Sequence, residues 1–289
     1  MITVTLDIED HLGDAPGPRR HRANTERLLD ALAARDVRAT CFIVGDLVGS
    51  DGALIRRIAK AGHEIGLHSF DHRPLAAYDR ATLRRSTADA RHRLEDCAGR
   101  PVIGYRAPSF SLTRRTPWVP EELQAIGFRY SSSVLPAGSP LYGYPGAPRA
   151  PFRWPCGLLE LPAPVGRVGP LTVPYLGGIY FRYLPQSLIR RRTEAAADGR
   201  TCLWSYLHPY DIDADEPFTR PHGAPLWMSL LLWWRRRGAL ARFDRLLAGH
   251  FGAPIGKPFA ERLADGEFDA ARPLASDDLA SKPKLRLKA

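Results

Sequence analysis

Sulfur is scarce in this 289-residue chain, and no apolar run is long. The four cysteines, Cys41, Cys97, Cys156 and Cys202, are spread out with no C-x-x-C pair among them, so buried free thiols are the expectation rather than a disulfide framework. The longest apolar stretch, LWMSLLLWW at 226–234, falls well short of the ~20 residues that cross a bilayer. The opening MITVTLDIED alternates apolar with polar and lacks the basic start, apolar core and small-residue cleavage site of an export signal, so a cytoplasmic location is expected.

What the chain does carry is hydrophobic mass and positive charge. With 44% hydrophobic residues it can bury a large core. Its 41 Lys and Arg against 31 Asp and Glu leave a net charge of +10, concentrated in arginine triplets at 190–192 and 235–237 and in the tail KPKLRLKA. A solvated face is the default reading of such charge; anionic lipid or an acidic glycan would suit it, and no nucleic-acid partner is expected.

Strand-like and helix-like segments alternate. ITVTLDI has period two; NTERLLDALAARD follows with Asn24 as a cap and apolar residues at helical spacing; VRATCFIVG reads as a buried strand. GALIRRIAKAG and RATLRRSTADARHRLEDCAG are helices closed by Gly62 and Gly99, each followed by a strand, HEIGLH and PVIGYRA, and CLWSYLHP is a later strand. Such β/α units predict a parallel, barrel-like α/β fold. The expected organisation is a barrel domain over 1–250, a Pro- and Gly-rich loop over the site at 136–157, one strong helix near 226–248, and a C-terminal extension at 251–289.

Polar residues with chemistry gather at the predicted strand ends. In the first strand Ile2, Val4, Leu6 and Ile8 share one face; Thr3, Thr5, Asp7 and Glu9 share the other, with Asp10 at the tip. Crowded carboxylates repel unless a cation or an arginine neutralises them. His68 and His72 follow the third strand, and two imidazoles with one carboxylate hold a divalent metal while leaving positions open. Arg106 ends another strand, where it could pair with and orient a carboxylate. His208 ends a further one, placed for a general acid. Taken singly, each has a bland alternative: a capped turn, a surface histidine pair, a solvated arginine. Asp211 and Asp213 read as a solvated turn. Parallel strands would bring the others to one rim.

The order LDIED, HSFDH, RAPSF and LHPYDID resembles the polysaccharide deacetylases of carbohydrate esterase family four, the NodB-homology group, and GGIYFR at 177–182 resembles a segment of a subgroup tied to exopolysaccharide gene clusters. The resemblance implies a distorted (β/α) barrel with a helical C-terminal extension and a divalent metal, zinc foremost, held by one carboxylate with His68 and His72. It further implies hydrolysis of N-acetyl groups on amino sugars of a bacterial polysaccharide or its precursor, with His208 as acid and Arg106 orienting the base. The family's paired aspartates become Asp7, Glu9 and Asp10 here. Either Glu9 is base and Asp10 ligand, or Asp7 is base and Glu9 ligand; Asp10 is the preferred ligand. Ser131 stands where the subgroup tends to carry Asp, and the acidic motif that tunes the acid elsewhere in the family is missing.

Other readings remain in play. Iron oxygenases use the same ligand set on an all-strand barrel, against which the intervening helices speak. An allantoinase-like cyclic-amide hydrolase, or a glycan-binding protein that has lost competence, shares the expected fold. Tryptophans beside arginines at 226–237 suggest peripheral contact with the inner membrane and a lipid-linked glycan, set against an ordinary helix that closes the barrel.

Overall fold

A computed structural model of the chain describes residues 1–11, 19–139, 141–196, 201–218 and 226–274; the tail KPKLRLKA lies outside them. In chain order run β1 (Ile2–Ile8), α1 (His21–Ala33), β2 (Thr40–Ile43), α2 (Leu47–Lys60), β3 (Glu64–Leu67), α3 (Arg80–Ala98), β4 (Gly104–Tyr105), α4 (Val119–Ile126) and β5 (Tyr130–Ser131). There follow β6 (Phe152–Arg153), β7 (Leu159–Glu160), the hairpin β8 (Gly166–Val168) and β9 (Leu171–Val173), α5 (Gly178–Tyr183), α6 (Gln186–Ala195) and β10 (Leu203–Leu207). The described chain closes with α7 (Leu226–Trp233), α8 (Ala239–Leu247), α9 (Phe259–Ala264) and β11 (Arg272–Pro273).

Nine strands form one curled sheet in the order β10-β1-β2-β3-β4-β5-β7-β6-β11. From β10 to β7 neighbours pair in parallel; β6 is antiparallel to β7, and β11 is parallel to β6. This is the distorted barrel that the β/α alternation predicts, with β10 and β11 as its edges. Because the strands run the same way, the chain leaves each at the same rim.

Both faces of β1 are buried. Ile2, Val4, Leu6 and Ile8 join a core with Leu28 and Leu32 of α1 and Phe243 of α8, and each such side chain removed from water contributes about 1.5–3 kcal/mol. The other face lines the barrel interior, where Thr3 and Thr5 hydroxyls donate to the carbonyls of Lys257 (2.9 Å) and Ser205 (2.7 Å). The opposite end of the barrel is plugged by Glu64: its carboxylate accepts from the Thr40 hydroxyl (2.7 Å), the Tyr130 hydroxyl (2.7 Å) and the Ala260 backbone N–H (2.9 Å).

Four expectations shift in detail. Helix α1 begins three residues before Asn24, and the Asn24 amide instead donates to Asp213 (2.8 Å). The single helix expected near 226–248 is two, α7 and α8, because Arg235 takes a left-handed φ of 61° that interrupts the turn pattern. The segment 136–157 returns to the sheet as β6, so only its first part lies over the barrel mouth. Residues 251–274, expected as an extension, pack into the base: Phe251 and Phe259 have no exposed surface, and Ile2 N–H donates to Pro254 O.

Glu64 therefore ties β2, β3 and β5 to the C-terminal segment. Glu64→Ala is expected to cost about 3 kcal/mol, since three buried donors lose their acceptor; chemical denaturation measures it, and an unchanged midpoint would show that those donors find other partners.

Candidate active site

At the rim where β1 and β3 end, Glu9, His68 and His72 bring ligand atoms within 4.8 Å of one another. The alternation of β1 persists one step past Ile8, so Glu9 follows Asp7 onto the inner face and Asp10 points elsewhere. Asp10 lies instead against Arg19 (3.5 Å) and His21 (3.7 Å). The carboxylate beside the histidines is thus Glu9, and the preferred ligand reading of Asp10 gives way to the other register.

The donor chemistry of this trio fits a divalent cation. His68 Nδ1 donates to the backbone carbonyl of Arg106 (3.0 Å), which leaves Nε2 with its lone pair free to ligate, 3.7 Å from Glu9 Oε2. His72 Nε2 is 2.5 Å from the same oxygen; burial lowers the His72 pKa, but the Glu9 charge outweighs it and raises it, so this pair competes for a proton where a cation could sit. Three ligand atoms of this kind gathered at one buried point are the arrangement a metal ion would satisfy. Two imidazole nitrogens and a carboxylate oxygen suit zinc. Burial alone would raise the Glu9 pKa, but the charges of His72 and His208 outweigh it and hold the carboxyl well below the usual range. Burial also pushes His68 down to about 4, keeping it neutral. His72 sits at φ 57° and Ser69 at φ 64°, left-handed conformations unfavourable for these residues and concentrated beside the site.

Asp7 faces a different partner. Its carboxylate takes a hydrogen bond from Arg106 Nη1 (2.5 Å), which also donates to Thr5 Oγ1 (2.7 Å). The guanidinium has no exposed surface and lies between Phe42 (4.0 Å to the ring) and Trp204 (4.3 Å), with Ser132 completing its shell through Oγ (3.1 Å) and its carbonyl (3.3 Å). Ser131, where an acid was expected, bonds the Ser133 hydroxyl (2.8 Å), to which Ala107 N–H donates.

His208 follows β10 and stands 3.8 Å from Asp7. Its Nδ1 bonds Asp211 Oδ2 (2.9 Å), and Tyr210 stacks on the ring 4.6 Å away. Asp211 is in turn 3.0 Å from Arg182 Nε of α5, inside GGIYFR. Burial opposes protonation of His208, but Glu9, Asp211 and Asp7 overcome it and raise its pKa to about 9. The structure therefore brings together Asp7, Glu9, His68, His72, Arg106 and His208 around one cavity of about 260 Å³. Asp211 and Arg182 had no predicted role. The i, i+3 pattern of H-P-Y-D, with Pro209 beginning a helical turn, was the available signal for Asp211. Asp213, also expected in solvent, is buried and takes two hydrogen bonds from Arg20, at 2.6 and 2.8 Å.

A folded-state pKa of about 9 against an ordinary 6.5 means that charged His208 stabilises the fold fully below 6.5, and that this contribution fades as pH rises through about 9. In chelator-treated protein the melting-temperature advantage over His208→Gln is expected to shrink between about pH 7 and about pH 10. A difference independent of pH would mean that folded His208 is neutral.

A family model described as polysaccharide deacetylase matches residues 2–130, and one described as a domain of unknown function, DUF3473, matches 132–253. A chitooligosaccharide deacetylase of Sinorhizobium fredii is 33% identical over 96 residues, 33% of this chain and 43% of that one. The chain spans less than half the length of the first curated relatives it matches. A crystal structure of a candidate polysaccharide deacetylase from Mycobacterium smegmatis superposes with a TM-score of 0.67 at 21% identity, over 98% of this chain and 94% of that one. Puue allantoinase superposes with 0.61 at 16% identity, over 95% and 91%. At such identities these two share the fold. The deacetylase match spans the residues that supply Asp7, Glu9, His68, His72 and Arg106, and residues 2–130 are a polysaccharide deacetylase domain of the NodB-homology type.

Proposed function

We propose that this protein is a metal-dependent hydrolase that removes N-acetyl groups from amino sugars of a bacterial polysaccharide or its precursor. The observation that carries the reading is the convergence, on one cavity, of a three-ligand set with a carboxylate and an imidazole whose partners differ. Glu9, His68 and His72 would hold the ion, zinc by donor type, and a cation there supplies Lewis acidity for the acetyl carbonyl and for water.

The chain's own groups divide the proton work. Asp7, oriented by Arg106, accepts a proton from the attacking water. His208, charged and steered by Asp211, donates a proton to the amine nitrogen as its bond to the acyl carbon breaks. Acetate and a free amino sugar leave. The cavity walls supply Tyr206, Tyr210 and Tyr180, aromatic faces suited to a sugar ring.

Acetate release from N-acetylated chitooligosaccharides tests this, with allantoin as the comparison substrate. The protein is expected to release acetate, to leave allantoin intact, and to lose activity with a chelator and regain it with zinc; cleavage of allantoin alone would overturn the reading. Asp7→Asn is expected to lower kcat by about 10²–10⁴-fold, the share of a general base, with metal content retained. His72→Ala is expected to lose metal by elemental analysis, and full metal with full activity in that variant would remove His72 from the ligand set.

A further inference from the structure

Helix α7 is inside out. Its buried residue is Ser229, whereas Leu226, Trp227, Leu230 and Trp233, with Trp234 just beyond, are between 37% and 64% exposed. The spacing 227, 230, 234 and 226, 230, 233 lays them along one side of the helix. An ordinary surface helix turns such a stripe toward the core. The stripe also has apolar neighbours at the mouth. Leu232 of α7 lines the active cavity together with Leu141, itself 57% exposed, and Thr172, whose neighbour Leu171 is 63% exposed. Phe218 packs edge-on against Trp233. Among the described residues, the only large apolar side chain of comparable exposure elsewhere is Met1.

Charge accompanies this surface. Arg235 and Arg237 leave the end of α7 exposed, and exposed Arg167 lies on the β8–β9 hairpin beside Leu171. Tryptophans next to arginines, on a chain of net charge +10, match the chemistry of an anionic headgroup layer over acyl chains. A second copy of the chain seated face to face would set these arginines against their own counterparts. The helix is also tied to the catalytic groups: Arg182, which contacts Asp211, donates to the Leu232 carbonyl (2.9 Å) and the Trp234 carbonyl (2.5 Å).

We propose that the outward face of α7, with Leu141 and Leu171 beside it, docks on an anionic lipid surface and turns the cavity toward a membrane-attached glycan. This rests on the deacetylase reading for its substrate, not for its docking. The full chain is expected to co-sediment with phosphatidylcholine vesicles containing about one third phosphatidylglycerol, at least tenfold more than with phosphatidylcholine alone, and to be released by high salt. Trp227→Ser/Trp234→Ser and, separately, Arg167→Glu/Arg237→Glu are each expected to reduce co-sedimentation at least tenfold while the melting temperature is unchanged and acetate release from soluble oligosaccharide stays within twofold. Vesicle binding that persists in both variants, absence of lipid-dependent pelleting in the wild type, or a dimer in sedimentation equilibrium that the tryptophan variant dissolves would each overturn the proposal. Lipid binding with no acetate release from any substrate would uphold the docking surface and defeat the deacetylase reading instead.

Discussion

A guanidinium with no exposed surface stands in the throat of the barrel, and the site is built around it. A buried arginine is tolerable only where its charge is matched and its N–H groups are satisfied. Arg106 meets both demands through Asp7, Thr5 and Ser132, and the faces of Phe42 and Trp204 cover its plane. Those contacts join β1, β2, β4, β10 and the chain after β5 at one point. The backbone carbonyl of the same residue takes the Nδ1 proton of His68. One residue thus fixes the direction of a carboxylate and the tautomer of a histidine.

Around this anchor, similar side chains are driven to opposite states. His68 is buried with little compensation and held neutral, the form in which an imidazole ligates. His208 faces three carboxylates and is held charged, the form in which it can give up a proton. The carboxylates differ in partner: Asp7 answers to an arginine, Glu9 to histidines, and Asp211 to His208 with Arg182 behind it. Divergent environments for like groups are how one rim assigns base, ligand and acid.

Much of the fold can be read along the chain. The period-two pattern of β1, the long α3 with its Asp79 cap and Gly99 exit, and the alternation of short strands with helices all specify parallel β/α units through local geometry. Where local signals compete with distant partners they mislead. Asn24 has the chemistry of a cap, but it sits inside α1 because Asp213, brought from far along the chain, takes its amide. Residues 251–274 carry no strong periodicity, yet the barrel base needs them to cover Ile2 and to meet Glu64.

At the site, the residue types and their placement at strand ends were determined by the sequence alone: two histidines four apart, an acid-rich first strand, Arg106 and His208. Which acid joins the histidines was decided only in three dimensions, because Glu9 and Asp10 lie where the chain leaves the sheet and nothing local says how far the alternation continues. The roles of Asp211 and Arg182 were likewise tertiary, since their signals look like a turn and a plain basic residue until α5 and β10 are packed together. So was the outward stripe of α7: its residues are apolar in sequence whichever way the helix turns, and only the packing of Ser229 against the protein set its tryptophans facing out.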